Sequence, residues 1–531
     1  MFNVKLKGHL SRRLHEYIRH AFAARLHFDT LYKLHTRIAQ LAGISEERYD
    51  CCVNSCCAFT GALSEAQVCP YCNEQRRDKQ GRRRQVFRYI PLASRLVALF
   101  SNQKISGLMQ YRAEYESKDG ELSDVFDGLH YRRLQDRKVV VDGFCYNHYF
   151  FDSKYDVALG IMTDGFQIFK RQRGGTQSCW PVLAVNFNLP PIIRTHLSNI
   201  IPLAIIPGPK APIDFNSYLR PFIDEAKQLA STGVQATDAI NDRPFVLRVY
   251  PISCHGDMPA IKHCMCFKGH NGIRPCRGCE IKAVRDTSKP QAPYYVPLRQ
   301  PHCPNQDIIE WPADDLPLRS DGRIAQQLDE IQSALTKTAK KAAQTRWGIN
   351  DQCDLLEIPS PSLTLSFPHE WMHLFLENHG KNLVALWTGR YKNMDEGKEL
   401  YIFPSAVWDV IGKETAVAGS TVPSSFGRRT PNIATEQHIF TAEDWGFWFV
   451  EIAPHVLKHR FPKEKFYQHF MKFNHILRQT MKFSLTTEDV EDLRVRIIDY
   501  VQEYEKYVIC YPFSYSKPHP DPIVLQIILS I

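Results

Sequence analysis

Residues 157–165 read VALGIMTDG, a six-residue apolar run closed by Thr163-Asp164-Gly165. The run is too short for an ordinary helix and ends on a turn dipeptide, so it reads as a buried strand. An isolated Asp-Gly is only a turn, and the sequence downstream gives this one more meaning. Pro181–Phe187 (PVLAVNF) and Ile201–Ile206 (IPLAII) are two further strands, after which Pro207-Gly208-Pro209-Lys210 turns the chain. From Phe215 to Ser231 the residues Leu219, Phe222, Ile223, Ala226 and Leu229 fall on one side of a helix. Phe245–Ser253 (FVLRVYPIS) is then a fourth strand, and it leads to Asp257.

The order is three strands, a helix and a strand, with an acid just beyond the first strand and another just beyond the fourth. That is the arrangement of an RNase H-like core. The fold expected is therefore α/β and multi-domain: an RNase H-like core with a helical insertion, preceded by an N-terminal zinc-binding, ribbon-like module.

The zinc expectation comes from the cysteines. Eleven of the sixteen lie in two windows. The first holds Cys51, Cys52, Cys56, Cys57, Cys69 and Cys72; the second runs from Cys254 to Cys279 and includes Cys276-x2-Cys279. Thiols two or three residues apart suit tetrahedral zinc better than a disulfide framework. No apolar segment near the start is long enough for a signal peptide, and none anywhere reaches the roughly 20 residues of a membrane span. The expectation is a soluble intracellular chain with reduced thiols. A net charge of +9 adds a mild preference for a polyanionic partner.

Outward from the core, residues 1–48 read as a basic helical segment, with Arg12, Arg13, Arg19 and Arg25 among Leu14, Ile18, Phe22 and Leu26. The four-residue spacing of those apolar side chains marks one face, expected to pack on a neighbour. The zinc-ribbon-like module spans 49–75, a basic linker and small helical region 76–138, and the core 139–287. A Pro-rich linker and helix occupy 288–365, where Ile324, Leu328, Ile331 and Leu335 predict a helix continuing to about Trp347. The helical, aromatic-rich insertion covers 366–510, ending in a helix capped by Thr487, and 511–531 is a divergent tail.

Several stretches carry a family resemblance. YDCCVNSCCAFTG followed by CPYC, IMTDGFQIF, CWPVLAVNFNLPP, IIPGPKAPIDF, GDMPAIKHCMCFKGHNGIRPCRGC, EWMHLFLENHGKNLVALWTGRYK, TVPSSFGRRTPNIA and TAEDWGFWFVEIAPHVL occur in this order between about 49 and 507. Together they resemble fungal transposases related to the CACTA (En/Spm-like) superfamily, including Plavaka-type elements. The resemblance implies a cut-and-paste DNA transposase of the DDE type, acting in the nucleus on double-stranded transposon ends and target DNA. Asp164 would be the first metal-binding acid and Asp257 the second. Cys276 and Cys279 match the family's Cys-x2-Cys, and His373 the His of its Asp-x2-His. Dimerisation is expected from the way transposases pair two DNA ends.

Two Mg²⁺ or Mn²⁺ ions about 3.5–4 Å apart would clamp the attacking and leaving oxygens of a phosphodiester. Such hard cations need carboxylate and water oxygens, which Asp and Glu supply. Three departures from the family pattern matter. Glu370 stands where the family has Asp, and it is the candidate third acid, with Glu377 a turn or two beyond on the same face. The cysteines beside Asn54-Ser55 are doubled; by register Cys52 and Cys56, with Cys69 and Cys72, are the zinc ligands. Finally, the family continues into a helical segment bearing its third acid, which the tail here does not resemble. A truncated, cleavage-deficient copy is therefore expected.

A second zinc is expected at Cys276, Cys279 and His373, completed by Glu370 or His369, or by the local alternatives Cys266, His270, His302 and Cys303. Arg76, Arg77, Arg82, Arg83, Arg84, Arg171, Arg173 and Lys210 are the candidate DNA contacts, of the kind that position without reading sequence. The tryptophans, Trp180 included, are expected mostly in the core. The alternative function is a domesticated or relic DNA-binding protein that uses the zinc module and basic segments and needs no acids.

Overall fold

The structure, a computed structural model, describes residues 10–41, 43–167, 178–284, 296–298, 310–391, 399–423, 426 and 429–509. Arg171, Arg173, His302, Cys303 and the tail 511–531 lie outside the described residues. The chain is mixed α/β and divides into two compact units. The first comprises 1–114, 135–251 and 357–359; the second comprises 115–134, 252–356 and 360–531.

The first unit is organised by a sheet. Its strands are β1 (Glu47–Asp50), β2 (Val86–Tyr89), β3 (Val157–Thr163), β4 (Phe166–Gln167), β5 (Ser178–Asn186) and β6 (Ile201–Pro207). Two more, β7 (Val234–Asp238) and β8 (Arg243–Leu247), form a separate antiparallel hairpin, and β9 (Val249–His255) begins in this unit. Neighbours in the large sheet run β1-β2-β6-β5-β3-β9, with β4 beside the start of β5. Among the strands of the expected core, the order is third, second, first, fourth. All of β3 except Met162 is buried, which is why its sequence shows no alternation. Pro181 has no N–H to give the ladder, and the β5–β6 register shifts next to it, at Val182/Leu183.

The single strand expected at 245–253 is two strands, β8 and β9, broken at Arg248. The apolar run is continuous in sequence, but its first half pairs with β7 and not with the large sheet. The N-terminal segment contains two helices, α1 (Arg12–Ala21) and α2 (Leu31–Leu41). The apolar face expected to pack does not: Leu14, Phe22 and Leu26 are about half exposed, and only His15 of α1 is buried.

Helix α3 (Phe215–Ser231) has the expected bounds, capped by Asp214, whose Oδ1 accepts the Ser217 N–H at 3.0 Å. Pro221 sits inside it. A proline there cannot donate to the carbonyl four residues back, Ser217. That orphaned oxygen accepts the Thr60 hydroxyl instead, and the Ser217 hydroxyl takes the Ala58 N–H at 2.9 Å. The break in the helix ladder is thus where the cysteine segment docks.

The second unit is mainly helical. Its helices include α4 (Met258–Cys264), α5 (Asp321–Gln332), α6 (Lys337–Trp347), a π-helix at Met372–Gly380, α7 (Glu464–Thr480) and α8 (Thr487–Tyr504). The one long helix expected from Ile324 to Trp347 is two: Thr336 caps a new helix, and Leu335, the last residue of the apolar pattern, is fully exposed. The cap of α8 is Thr486, not Thr487, in a reciprocal capping box with Asp489. Trp387, Trp408, Trp445 and Trp448 are buried in one aromatic cluster with Phe449, Phe470 and Phe473. They are core residues, as expected.

Candidate metal centre and candidate acid site

The cysteine segment lies between β1 and β2, which pair antiparallel while β2 also pairs with β6. It is spliced into the sheet of the first unit. Cys52, Cys56, Cys69 and Cys72 place one sulfur each within 4.8 Å of all the others. Four thiolates around zinc at about 2.3 Å would sit roughly 3.8 Å apart. Cys52 and Cys72 sulfurs are 3.4 Å apart here. The cluster could hold a metal such as zinc, and four sulfurs would leave no open position, a structural site.

Local backbone geometry makes the cluster. Ser55 and Asn73 have positive φ, 63° and 59°, turning the chain between Cys52 and Cys56 and again just after Cys72. Asn tolerates that conformation well; Ser55 is held in it by a 2.6 Å hydrogen bond to the Pro207 carbonyl. The Asn54 N–H and side-chain amide point at the sulfurs of Cys52 (3.4 Å) and Cys72 (3.6 Å). Burial works against ionisation of Cys72, but the Glu74 N–H, the Asn54 amide and neighbouring thiols outweigh it and lower its pKa to about 7. Cys51 and Cys57 flank the cluster; burial raises the Cys51 thiol to about 12, a protonated filler beside Tyr218.

The basic run following the cysteines is engaged internally. Asp50, buried at 3% exposure, pairs with Arg76 (2.7 Å), Arg77 (3.3 Å) and Arg83 (3.0 Å). Arg82 pairs with Asp78, and Arg84 with Glu74. Arg76 also donates to the Ser64 carbonyl and lies 5.0 Å over the Phe59 ring. These side chains brace the cysteine module. Lys210, exposed after β6, belongs to the same unit. Asp50 was not anticipated as a functional residue; the signal was an acid immediately before Cys51 in a stretch otherwise rich in arginine.

Asp164 is exposed just past β3, and its Oδ1 accepts the Gly165 N–H at 2.7 Å. Gly165 is required by proximity: a Cβ there would lie 2.5 Å from the Trp180 ring. Trp180 itself is buried and edge-on to Phe215.

In the second unit, Asp257 is the N-cap of α4, its Oδ1 accepting the Ala260 N–H at 2.6 Å. Glu370 caps the π-helix: its carboxylate accepts N–H groups of Met372 (3.2 Å) and His373 (2.7 Å) and faces His373 Nδ1 at 2.6 Å. Burial would raise the Glu370 carboxyl, but these bonds outweigh it and lower its pKa. Glu377 pairs with Lys381. Asp257, Arg277, His369, Glu370, His373 and Asn378 line one recess, so two of the three predicted acids come together within this unit. π-helical turns of this kind concentrate at functional sites.

Cys276 and Cys279 form a tight loop in which the Gly278 and Cys279 N–H groups both point at Cys276 sulfur at 3.3 Å. The Cys279 thiol's hydrogen bond, with these N–H groups and Arg319 and against burial, lowers Cys276 to about 7. Arg319 Nε bonds the carbonyls of both cysteines, at 3.1 and 3.2 Å. Among the described residues the four-thiol cluster is the one group of three or more ligands gathered for a metal; Cys276, Cys279 and His373 do not form another. Burial, then the charge of Arg277, holds His369 well below its usual pKa and hence neutral. Arg277 and Arg319 were not anticipated; single arginines beside a Cys-x2-Cys carry no spacing signal.

Residues 119–295 match the model of a family described as "Transposase family tnp2". The matched span contains Asp164, Asp257, Cys276 and Cys279 and supports a transposase, with the DNA binding that implies. No curated protein matches the chain. Among the described residues no helix is long and apolar enough to cross a membrane.

Proposed function

We propose that the chain is the transposase of a CACTA-like cut-and-paste element, built on an RNase H-like core and acting in the nucleus on double-stranded DNA. The observation that carries this reading is the tnp2 family match, because its span includes both candidate acids. The order along the chain supports it: Asp164 follows β3 and Asp257 follows β9, the places of the first and second acids in an RNase H-like core. In this reading Asp164 and Asp257 hold Mg²⁺ or Mn²⁺, Glu370 is the third carboxylate, and zinc at Cys52, Cys56, Cys69 and Cys72 fixes the N-terminal module. When bound, the hard cations supply charge neutralisation at the scissile phosphate. The test is thermal stability and DNA affinity with and without Mn²⁺. Both should rise with Mn²⁺ in the native chain and not in Asp164→Ala or Asp257→Asn, the latter keeping a good N-cap.

A second reading, a DNA-binding protein without strand chemistry, is favoured by one specific observation. Asp257 and Glu370 each cap a helix, so both have structural work independent of metal. Under that reading Mn²⁺ leaves the native chain unchanged, as it does both variants.

A further inference from the structure

Arg277 stands out in the second unit as a guanidinium that makes no ion pair with a carboxylate among the described residues. It is half-buried, gives one N–H to the Pro368 carbonyl at 2.5 Å, and its Nε is shielded from solvent with no hydrogen-bond partner. Among the described residues no carboxylate lies within ion-pair distance of it, although Asp257 and Glu370 line the same recess. A guanidinium held this way is a fork of donors placed for an oxyanion.

Arg277 also lines a second, adjoining recess with Lys262 and His270, walled by Met258, Met265 and Phe267. The two recesses share Met258, Arg277 and His369. Lys262 is held in position by Gly269: that residue has φ +65°, and a Cβ on it would lie 2.7 Å from the lysine stem. Lys262 and Arg277 thus border a small apolar-walled hollow beside Asp257.

We propose that Arg277, with Lys262 and His270, binds a phosphodiester group of a DNA strand beside Asp257. This deepens the transposase reading and rests on it for the identity of the strand. The chemistry needed is modest. A phosphate oxygen takes the N–H groups at the solvent-reachable end of the guanidinium, and the ammonium of Lys262 offsets the remaining charge. The site positions the strand; it transfers no proton and forms no bond.

The test uses the full chain and a 5′-labelled duplex oligonucleotide, with affinity measured across a salt series. Arg277→Gln should weaken binding about tenfold and flatten the log–log salt slope by about one unit, with Lys262→Gln giving a smaller change in the same direction. Arg277→Lys should restore the slope more than the affinity, because charge returns without the fork. Native affinity and slope in a folded Arg277→Gln overturn the proposal. If Arg277→Gln does not fold, Lys262→Gln decides, and an unchanged slope there overturns it equally. A change in salt slope without any Mn²⁺ effect keeps the phosphate site and removes the transposase reading. A Mn²⁺ effect with unchanged slopes does the reverse.

Discussion

Two Cys-x2-Cys loops in this chain meet the same problem, a pair of closely spaced thiols, with different solutions. Cys69-x2-Cys72 is joined by Cys52 and Cys56, so four sulfurs converge in a module whose arginines are each paired with an acid. Among the described residues Cys276-x2-Cys279 has no such company; backbone N–H groups and the buried Arg319 settle around it. The first arrangement could hold a dication, whereas the second already places positive charge beside Cys276. Spacing alone does not distinguish a metal site from a thiol turn; the third and fourth ligands do.

Metal removal breaks the comparison most forcefully. Metal analysis should find a single zinc per chain, lost in Cys69→Ser together with protease resistance of residues 51–85, because structural zinc contributes folding energy directly. Cys279→Ser should leave the zinc content intact. A second zinc that vanishes in Cys279→Ser would instead give the second loop the metal role its spacing suggested.

Acid separates the two regions next. In the second unit, burial depresses His469 to about 3 and His263 to about 4 in the folded state. Their neutral forms belong to the fold, so stability is full above the unfolded pKa of about 6.5 and falls as pH drops towards 3. By pH 4 His469 alone should cost on the order of 3 kcal/mol. In the first unit Asp156 runs the other way: burial raises it to about 6, so its contribution weakens as pH rises from 3.8 through 6. Tryptophan fluorescence, dominated by the aromatic core of the second unit, should therefore lose its native signal on acidification. A flat profile between pH 7 and 4 would contradict this.

Asp50→Ala leaves three arginines without their shared partner. Because two of them are nearly half exposed, the loss should be about 2 kcal/mol, below that of a fully buried pair. Thr60→Val removes the donor that satisfies the Ser217 carbonyl freed by Pro221, and should cost about 1–2 kcal/mol. Denaturant midpoints measure both. A neutral Thr60→Val would show that water replaces the hydroxyl.

The strands β3, β5 and β6 were readable because they are largely apolar runs closed by turn residues, and α3 because its apolar positions keep a 3.6 period. The break at Arg248 was not readable, since both flanking strands are apolar and only pairing distinguishes them. Leu335 extended a helical pattern by chance, and Thr336 as a cap was the competing signal. The clustering of Cys52, Cys56, Cys69 and Cys72 was legible from spacing and register, but the fate of the arginines was not. Whether a basic run faces DNA or a buried Asp50 depends on the fold around it. Glu370 and His373 were visible as a motif, while their capping geometry required the π-helix, which has no sequence period of its own.

The central proposal is that Asp164 and Asp257 bind a divalent cation on DNA. The most direct measurement is affinity for duplex DNA carrying the element's own ends, with and without Mn²⁺ or Mg²⁺. The account predicts binding that tightens with the cation in the native chain and no longer does so in Asp164→Ala or in Asp257→Asn. Native affinity indifferent to the cation, or a cation effect that survives both substitutions, would contradict it.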